Sequence, residues 1–212
     1  MDMVTGVGVI DKAVDILRTV AERPCNLGAL EDATGIPRAT AHRLAVALEA
    51  HGLLRRADDG QFDLGPELAA LGRLAAERFP LVELARPALT RLRDETGESV
   101  QLFVREGAQR RCVLSLPSPH ALRWIVPDGA RLPLELGSAG RVLSGELGPQ
   151  GWVASVEERE AGVASVSAPV RSTHGDIVAA VSISGPVERL SRQPGERFGR
   201  QVVAAAARIT VP

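Results

Sequence analysis

The chain has 212 residues, 45% of them hydrophobic, and a formal net charge of −1. That length allows one large domain or two small ones with a real core, and the balance of charge demands no polyanionic partner for the molecule as a whole. No apolar run approaches the roughly 18 residues of a membrane span, and MDMVTGVGVIDKA lacks the basic start and apolar stretch of a signal peptide, so a cytoplasmic protein with no membrane association is expected. Lys12 is the only lysine, and arginine carries the rest of the positive charge. Cys25 and Cys112 stand far apart, fit no metal-ligand pair, and read as reduced packing residues.

In chain order, Ile10, Ala13, Val14, Leu17 and Val20 form a helical apolar stripe over Ile10 to Glu22, which Pro24 ends. A short second helix, Leu27 to Thr34, turns Leu27, Leu30 and Ala33 inward. Gly35 supplies the turn, and Pro37 suits the first turn of a third helix. There Pro37, Ala41, Leu44, Ala45 and Leu48 share the inward face. Ala39, His42, Arg43, Val46 and Ala50 lie opposite, with Arg38 and Thr40 at the N-terminal end. Such a helix, following a turn, is what a helix-turn-helix presents to the major groove. Gly52 ends it.

Leu53-Leu54-Arg55-Arg56, the turn Ala57-Asp58-Asp59-Gly60 and Gln61-Phe62-Asp63-Leu64 then read as a hairpin, since Asp-Gly joins two alternating arms. A hairpin behind a recognition helix is a wing, and Arg55 and Arg56 are placed to neutralise phosphates. Between Ile36 and Arg56 four arginines face one acid, Glu49, a local excess that favours DNA. The alternative is a three-helix packing module with a surface hairpin.

Pro66 to Phe79 reads as a helix with Leu68, Leu71, Leu74 and Ala75 on one face. A second domain starts at Leu81, with a helix on Leu84, Ala88, Leu89 and Leu92 that stops near Thr96-Gly97. Strands are expected at Ser99–Arg105, Arg110–Leu116 and Ala121–Val126, the first two joined at Glu106-Gly107-Ala108-Gln109. A helix near Ser138–Glu146 follows. Two antiparallel strands, Ala164–Arg171 and Ile177–Ser184, meet at His174-Gly175-Asp176, and a last helix covers about Gly195 to Ile209. The class is α+β, with domains at 1–65, 66–80 (a connecting helix) and 81–212. Ser165 and Ser167 share one side of their strand, and Ser182 and Ser184 share one side of theirs. Hydroxyls on an apolar sheet suit a small polar ligand, or they are merely tolerated beside solvent.

Catalysis is not expected. Gly6-Val7-Gly8 follows no strand, no phosphate-binding loop of the Walker type occurs, and Gly137-Ser138-Ala139-Gly140 has the wrong spacing for a nucleophile elbow. His42, His51, His120 and His174 are scattered, so no metal site or cofactor is expected.

The run LGALEDATGIPRATAHRLAVALEAHGLLRRADDGQFDLGPEL closely resembles the winged-helix domain of IclR-type transcriptional regulators. EREAGVASVSAPVRSTHGDIVAAVSISGPVERL resembles the end of their effector-binding domain. The two occur in family order, from about Val7 to Ile209. The likeness leans towards actinobacterial members linked to amino-acid metabolism, leucine especially. It implies a winged helix-turn-helix, a linker helix that helps dimer contacts, and a GAF-like sensor domain. It implies DNA binding through Arg38, Thr40, His42, Arg43, Arg55 and Arg56 to a pseudo-palindromic operator, as a homodimer or dimer of dimers, in a repressor or other regulator.

Effector contacts implied by the same resemblance fall on Ala139, Gly140, Ser155, Ser165, Ser182 and Ser184, with an amino acid or related small carboxylate as guest. Ser165 stands where many members have cysteine, and Ser155 where many have an acid. Most members also carry a long helical stretch between the counterparts of Leu143 and Gly151, where this chain has only Ser144 to Gln150. That stretch helps wall the pocket, so an open, shifted or inactive pocket is implied. Two alternatives remain: a DNA-binding dimer without a working effector site, and a sensor domain acting through protein partners.

Overall fold

The computed structural model describes residues 7–78 and 80–211. The chain forms two compact units that divide between Phe79 and Pro80.

In the first unit, α1 (Gly8–Glu22), α2 (Leu27–Thr34) and α3 (Arg38–Ala50) enclose a core of Ile16, Val20, Leu30, Ile36, Ala41, Ala45, Leu48, Leu54 and Phe62. Asn26 caps α2 by accepting from the Ala29 N–H at 3.0 Å, and Gly35, at φ +65°, ends it. Gly52, at φ +68°, turns the chain out of α3. Its N–H reaches the Glu49 carbonyl, and the next N–H, of Leu53, reaches the Leu48 carbonyl, both at 2.9 Å. Strands β1 (Leu54–Arg56) and β2 (Phe62–Leu64) pair antiparallel, with Arg55 opposite Asp63. Cys25 adds a third short arm by exchanging two backbone hydrogen bonds with Phe62. Then comes α4 (Pro66–Arg78); the Phe79 end of the expected helix lies outside the described residues.

Three inward faces are set differently from the pattern in the sequence. In α1 the buried pair is Ile16 and Val20, and Ile10 is 56% exposed. Ala33 and Pro37 are exposed, and Ile36, in the turn between them, fills the core instead. Ile36 has more apolar surface to bury than Ala33 and gains more by burial.

The second unit is a six-stranded antiparallel sheet in the order β5-β4-β3-β8-β7-β6. The strands are β3 (Ser99–Glu106), β4 (Gln109–Leu116), β5 (Arg131–Pro133), β6 (Val153–Val156), β7 (Val163–Arg171) and β8 (Ile177–Pro186). One face carries Val100, Leu102, Leu114, Val166, Val181 and Ile183 and packs under α5 (Leu81–Thr96) and α8 (Pro194–Ala207). The opposite face carries Phe103, Cys112, Val153 and Ala180, and packs against α6 (Ser138–Leu143) and Val126 of the loop before β5. α7 (Val187–Leu190) is a single turn after β8.

Three expectations for this unit are corrected, and one strand, β6, was not expected. Residues 121–126 are not a strand; that segment is irregular, with Leu122 and Ile125 exposed, and the edge strand is β5. β6 pairs with β7 although its four residues carried no readable period. α6 stops at Leu143, where the helix gives way to a turn with Gly145 at φ +88°. In α5, Ala85 is buried and Leu84 is 40% exposed, because the face turned to the core is Ala85, Ala88, Leu89 and Leu92.

Candidate functional sites

In the first unit, Arg38, His42 and Arg43 are exposed along α3, and Thr40 is half-buried with its N–H donated to the Pro37 carbonyl at 2.7 Å. Val46, 42% exposed, continues the same surface. The inward residues Ala41, Ala45 and Leu48 are buried, so the helix is held by one face and offers the other. Arg38 is partly engaged: its guanidinium lies 3.7 Å from Glu31, and its backbone N–H reaches the same carboxylate. Asn26, Leu27, Gly28, Arg38, His42, Arg56, Gly60 and Phe62 together line an open concavity between the N-terminal end of α2, α3 and the wing.

The wing arginines are not the free cations that the sequence suggests. Arg55 forms an ion pair with its cross-strand neighbour Asp63. Arg56 lies 3.4 Å from Glu49, donates to the Gly60 carbonyl at 3.2 Å, and stacks over Phe62 at 4.3 Å from the ring centre. Both stay substantially exposed, so these pairs are worth at most about 1 kcal/mol.

In the second unit a cavity opens between the sheet and α6. It leaves about 40 Å³ for the centres of water-sized groups, enough for a few non-hydrogen atoms. Strand register builds its floor. Ser155 lies opposite Ser165, Ser165 opposite Ser184, and Ser167 opposite Ser182, so hydroxyls of β6, β7 and β8 meet on one face. Ala139, Ser155, Ser165, Ser182 and Ser184 line the cavity. Gly140 does not. Its hydrogen points at backbone, and a Cβ there would come within 2.0 Å of the Leu134 carbonyl oxygen, so it is a packing glycine that lets α6 approach the loop before it. Residues 144–150 form no part of the walls. Trp124 and Val126 from the irregular loop, and Glu158, Arg159 and Glu160 from the loop after β6, supply them instead.

The hydroxyls are already linked. Ser138 Oγ is 2.7 Å from both Ser165 Oγ and Ser167 Oγ; Ser167 donates to Ser182 at 2.9 Å, and Ser184 donates to Gln101 Oε1 at 2.8 Å. Four residues of this site are not among the expected contacts: Gln101 sits among valine and leucine in β3, Arg110 begins an expected strand, Trp124 lies where a strand was expected, and Ser138 begins the expected helix. A buried polar residue inside an apolar strand was the available sign.

Arg110 is 3% exposed. Its Nη1 donates to the Pro133 carbonyl and, at 2.5 Å, to the Leu136 carbonyl, which pins the loop leading into α6. Burial, and then the nearby Arg159 charge, bring its pKa down to about 10, so it remains a cation at neutral pH. Arg159 stacks over the Trp124 ring at 4.9 Å. Cys112 is buried, and burial with the Asp128 charge pushes its thiol up to about 12, which leaves it unreactive. Among the described residues no group of three or more His, Cys, Asp or Glu could hold a metal ion, and no helix is long and apolar enough to cross a membrane.

Residues 9–58 match the model of the IclR helix-turn-helix domain, and residues 74–149 and 145–211 match that of the bacterial transcriptional regulator IclR C-terminal domain. The second match breaks in the short connection after α6. The transcriptional repressor IclR of Escherichia coli K12 is 22% identical, with 95% of this chain and 88% of that protein covered. That alignment runs over 242 positions, more than the whole chain has, so the relative carries segments without a counterpart here. A transcriptional regulator from Rhodococcus sp. RHA1 superposes with a TM-score of 0.75 at 25% identity, with 96% of each chain covered. An IclR homologue from Microbacterium hydrocarbonoxydans, complexed with 4-hydroxybenzoate, superposes with a TM-score of 0.77 at 23% identity, covering 95% of this chain and 97% of that one.

Proposed function

The chain belongs to the IclR family of DNA-binding transcriptional regulators, and from that premise we propose how it works. Arg38, Thr40, His42 and Arg43 read base edges in the major groove, and Arg55 and Arg56 of the wing hold the phosphate backbone. The observation that carries this reading is the exposed polar face of α3, flanked by the wing and held from behind by Ala41, Ala45 and Leu48. Footprinting on the promoter nearest its own gene tests it: Arg43→Ala should lose protection while the protein stays folded. A soluble, folded variant with unchanged protection removes α3 from the DNA.

The second unit binds a small carboxylate metabolite in the cavity between α6 and the sheet, and occupancy alters operator affinity. Ala139, Ser155, Ser165, Ser182 and Ser184 line the site; Gly140 shapes it without touching the guest. The Microbacterium relative, which was crystallised with an aromatic carboxylate, supports a ligand of this kind. The Escherichia coli relative is a repressor, and repression is the simplest reading here too.

The protein acts in the cytoplasm as a homodimer, or a dimer of dimers, on a roughly palindromic operator. Val9 and Ile10 on α1, and Leu71 and Leu74 on α4, are about half exposed and offer the apolar surface that pairing needs. Ultracentrifugation of the free protein should give no monomer at micromolar concentration. Residues 66–80 act as the link between the DNA-reading and sensing parts, 1–65 and 81–212.

A further inference from the structure

Three buried donors have no hydrogen-bond partner among the described residues: Gln101 Nε2, Arg110 Nε and Trp124 Nε1. All three residues line the cavity beneath α6. Native proteins leave few such groups, because a buried unpaired donor gives up its hydration with nothing in return. Three of them on one small cavity mark a place that is built to receive an acceptor.

Most acceptors around the same cavity already hold a hydrogen bond within the protein. Gln101 Oε1 takes the Ser184 hydroxyl, and the Ser138, Ser165, Ser167 and Ser182 hydroxyls are bonded to one another. Glu158 accepts the Gly137 N–H at 3.0 Å and pairs with Arg141 at 3.4 Å. Glu160 is exposed and lies beside the Arg159 charge. Ser155 Oγ can act either way. The charge follows the same division. Arg110 is buried and has no carboxylate partner among the described residues, and Arg159 is the second cation close to it. Phe103, Val126 and Leu132 complete the lining with apolar surface.

We infer that Gln101, Arg110 and Trp124 form a donor-only subsite that accepts the carboxylate of a small acid without an ammonium group, its short alkyl part against Phe103, Val126 and Leu132, and rejects the matching amino acid. The inference rests on the effector-site reading above and narrows it. A carboxylate offers oxygen acceptors to the three N–H groups and a negative charge to Arg110. An α-ammonium group would offer the three N–H groups no acceptor, and it would meet Arg110 and Arg159 with a like charge. Ser184 also sets Gln101: it donates to the carbonyl oxygen, which leaves the amide N–H groups for the guest.

Calorimetric titration of the full chain with propanoate, L-alanine and propanamide, three probes that share one carbon skeleton, tests this at fixed pH and ionic strength. Propanoate should bind about tenfold or more tightly than either of the others, the scale of one charge-assisted hydrogen bond. Trp124→Phe keeps an aromatic face but removes the indole N–H and part of the fused ring, so it should lose about tenfold in propanoate affinity while the protein stays folded. Gln101→Glu keeps the oxygen that receives Ser184 and should abolish propanoate binding. Operator footprinting of the same samples separates the two levels. If alanine or propanamide binds as well as propanoate, or no probe binds to protein that still footprints, the subsite is overturned and DNA regulation stands. If wild-type protein protects no operator, the regulatory reading itself fails.

Discussion

Ser167 donates its hydroxyl hydrogen to Ser182 Oγ at 2.9 Å, from directly opposed positions of β7 and β8. Both are buried, and Ser138 on α6 completes the chain at 2.7 Å from Ser167. Removing one member leaves its partners without a bond that no solvent replaces. Ser167→Ala should cost about 1–3 kcal/mol in chemical unfolding of the second unit. The double variant Ser167→Ala/Ser182→Ala should cost clearly less than twice that, because the second change also removes a stranded hydroxyl. Strict additivity would show that the two hydroxyls act independently.

Gly199 lies inside α8, where alanine would ordinarily stabilise a helix by about 1 kcal/mol. Here a Cβ would stand 2.4 Å from Trp152 Nε1 and 2.7 Å from two ring carbons. Gly199→Ala should therefore destabilise, by about 1–3 kcal/mol from overpacking. The melting temperature reads the sign, and a rise would mean that Trp152 can swing away at no cost.

On the wing, Arg55→Ala should remove the proposed phosphate contact and leave Asp63 without its ion-pair partner. The single variant should weaken binding to all sequences alike and lower the salt slope by about 1. Arg55→Ala/Asp63→Ala should recover part of the lost affinity without restoring the slope. Replacing Arg55 and Arg56 together by alanine should lower the slope by about 2. An unchanged slope in that variant would place the wing off the DNA.

Glu106 accepts from Arg111 and, at 3.0 Å, from Arg131, tying β3, β4 and β5 together. Burial opposes its ionisation, but the two arginine hydrogen bonds and charges outweigh that and hold its pKa below the usual carboxylate value. A carboxylate with a depressed folded-state pKa adds stability that is present above its unfolded pKa and lost as pH falls through the folded one. Unfolding of the wild type should thus become easier on acidification through the carboxylate range. Glu106→Gln should be less stable near neutral pH and show a flatter acid limb. An identical pH dependence in the two proteins would remove Glu106 from that limb.

Local signals were sufficient for the winged helix and for the outline of the sheet. Pro37 before a helical stripe, Asp59-Gly60 between alternating arms, and Gly175 between two β-branched runs each constrain the backbone by themselves, independently of the rest of the chain. Those are the places where the turns occur, with Gly60 at φ +78° and Gly175 at φ +93°. Alternation also made Ser182 and Ser184 share a face before any pairing was known.

What the tertiary structure decided is which groups meet and which are left over. The rotation of α1 onto Ile16, in place of Ile10, depends on the volume that α2 and α3 leave to be filled. The irregular course of residues 121–126 follows from Trp124 turning towards the cavity while Leu122 and Ile125 face solvent, a pattern that alternation cannot distinguish from a strand. Above all, a sequence counts donors and acceptors but does not pair them. Five serines suggested the binding groups; the fold spends most of their hydroxyls on one another and on Gln101, and leaves the N–H groups of Gln101, Arg110 and Trp124 unpaired at the cavity. Hydrogen-bond satisfaction belongs to side chains brought together from β3, β4, β7, β8, α6 and a loop, and only their arrangement in space determines it.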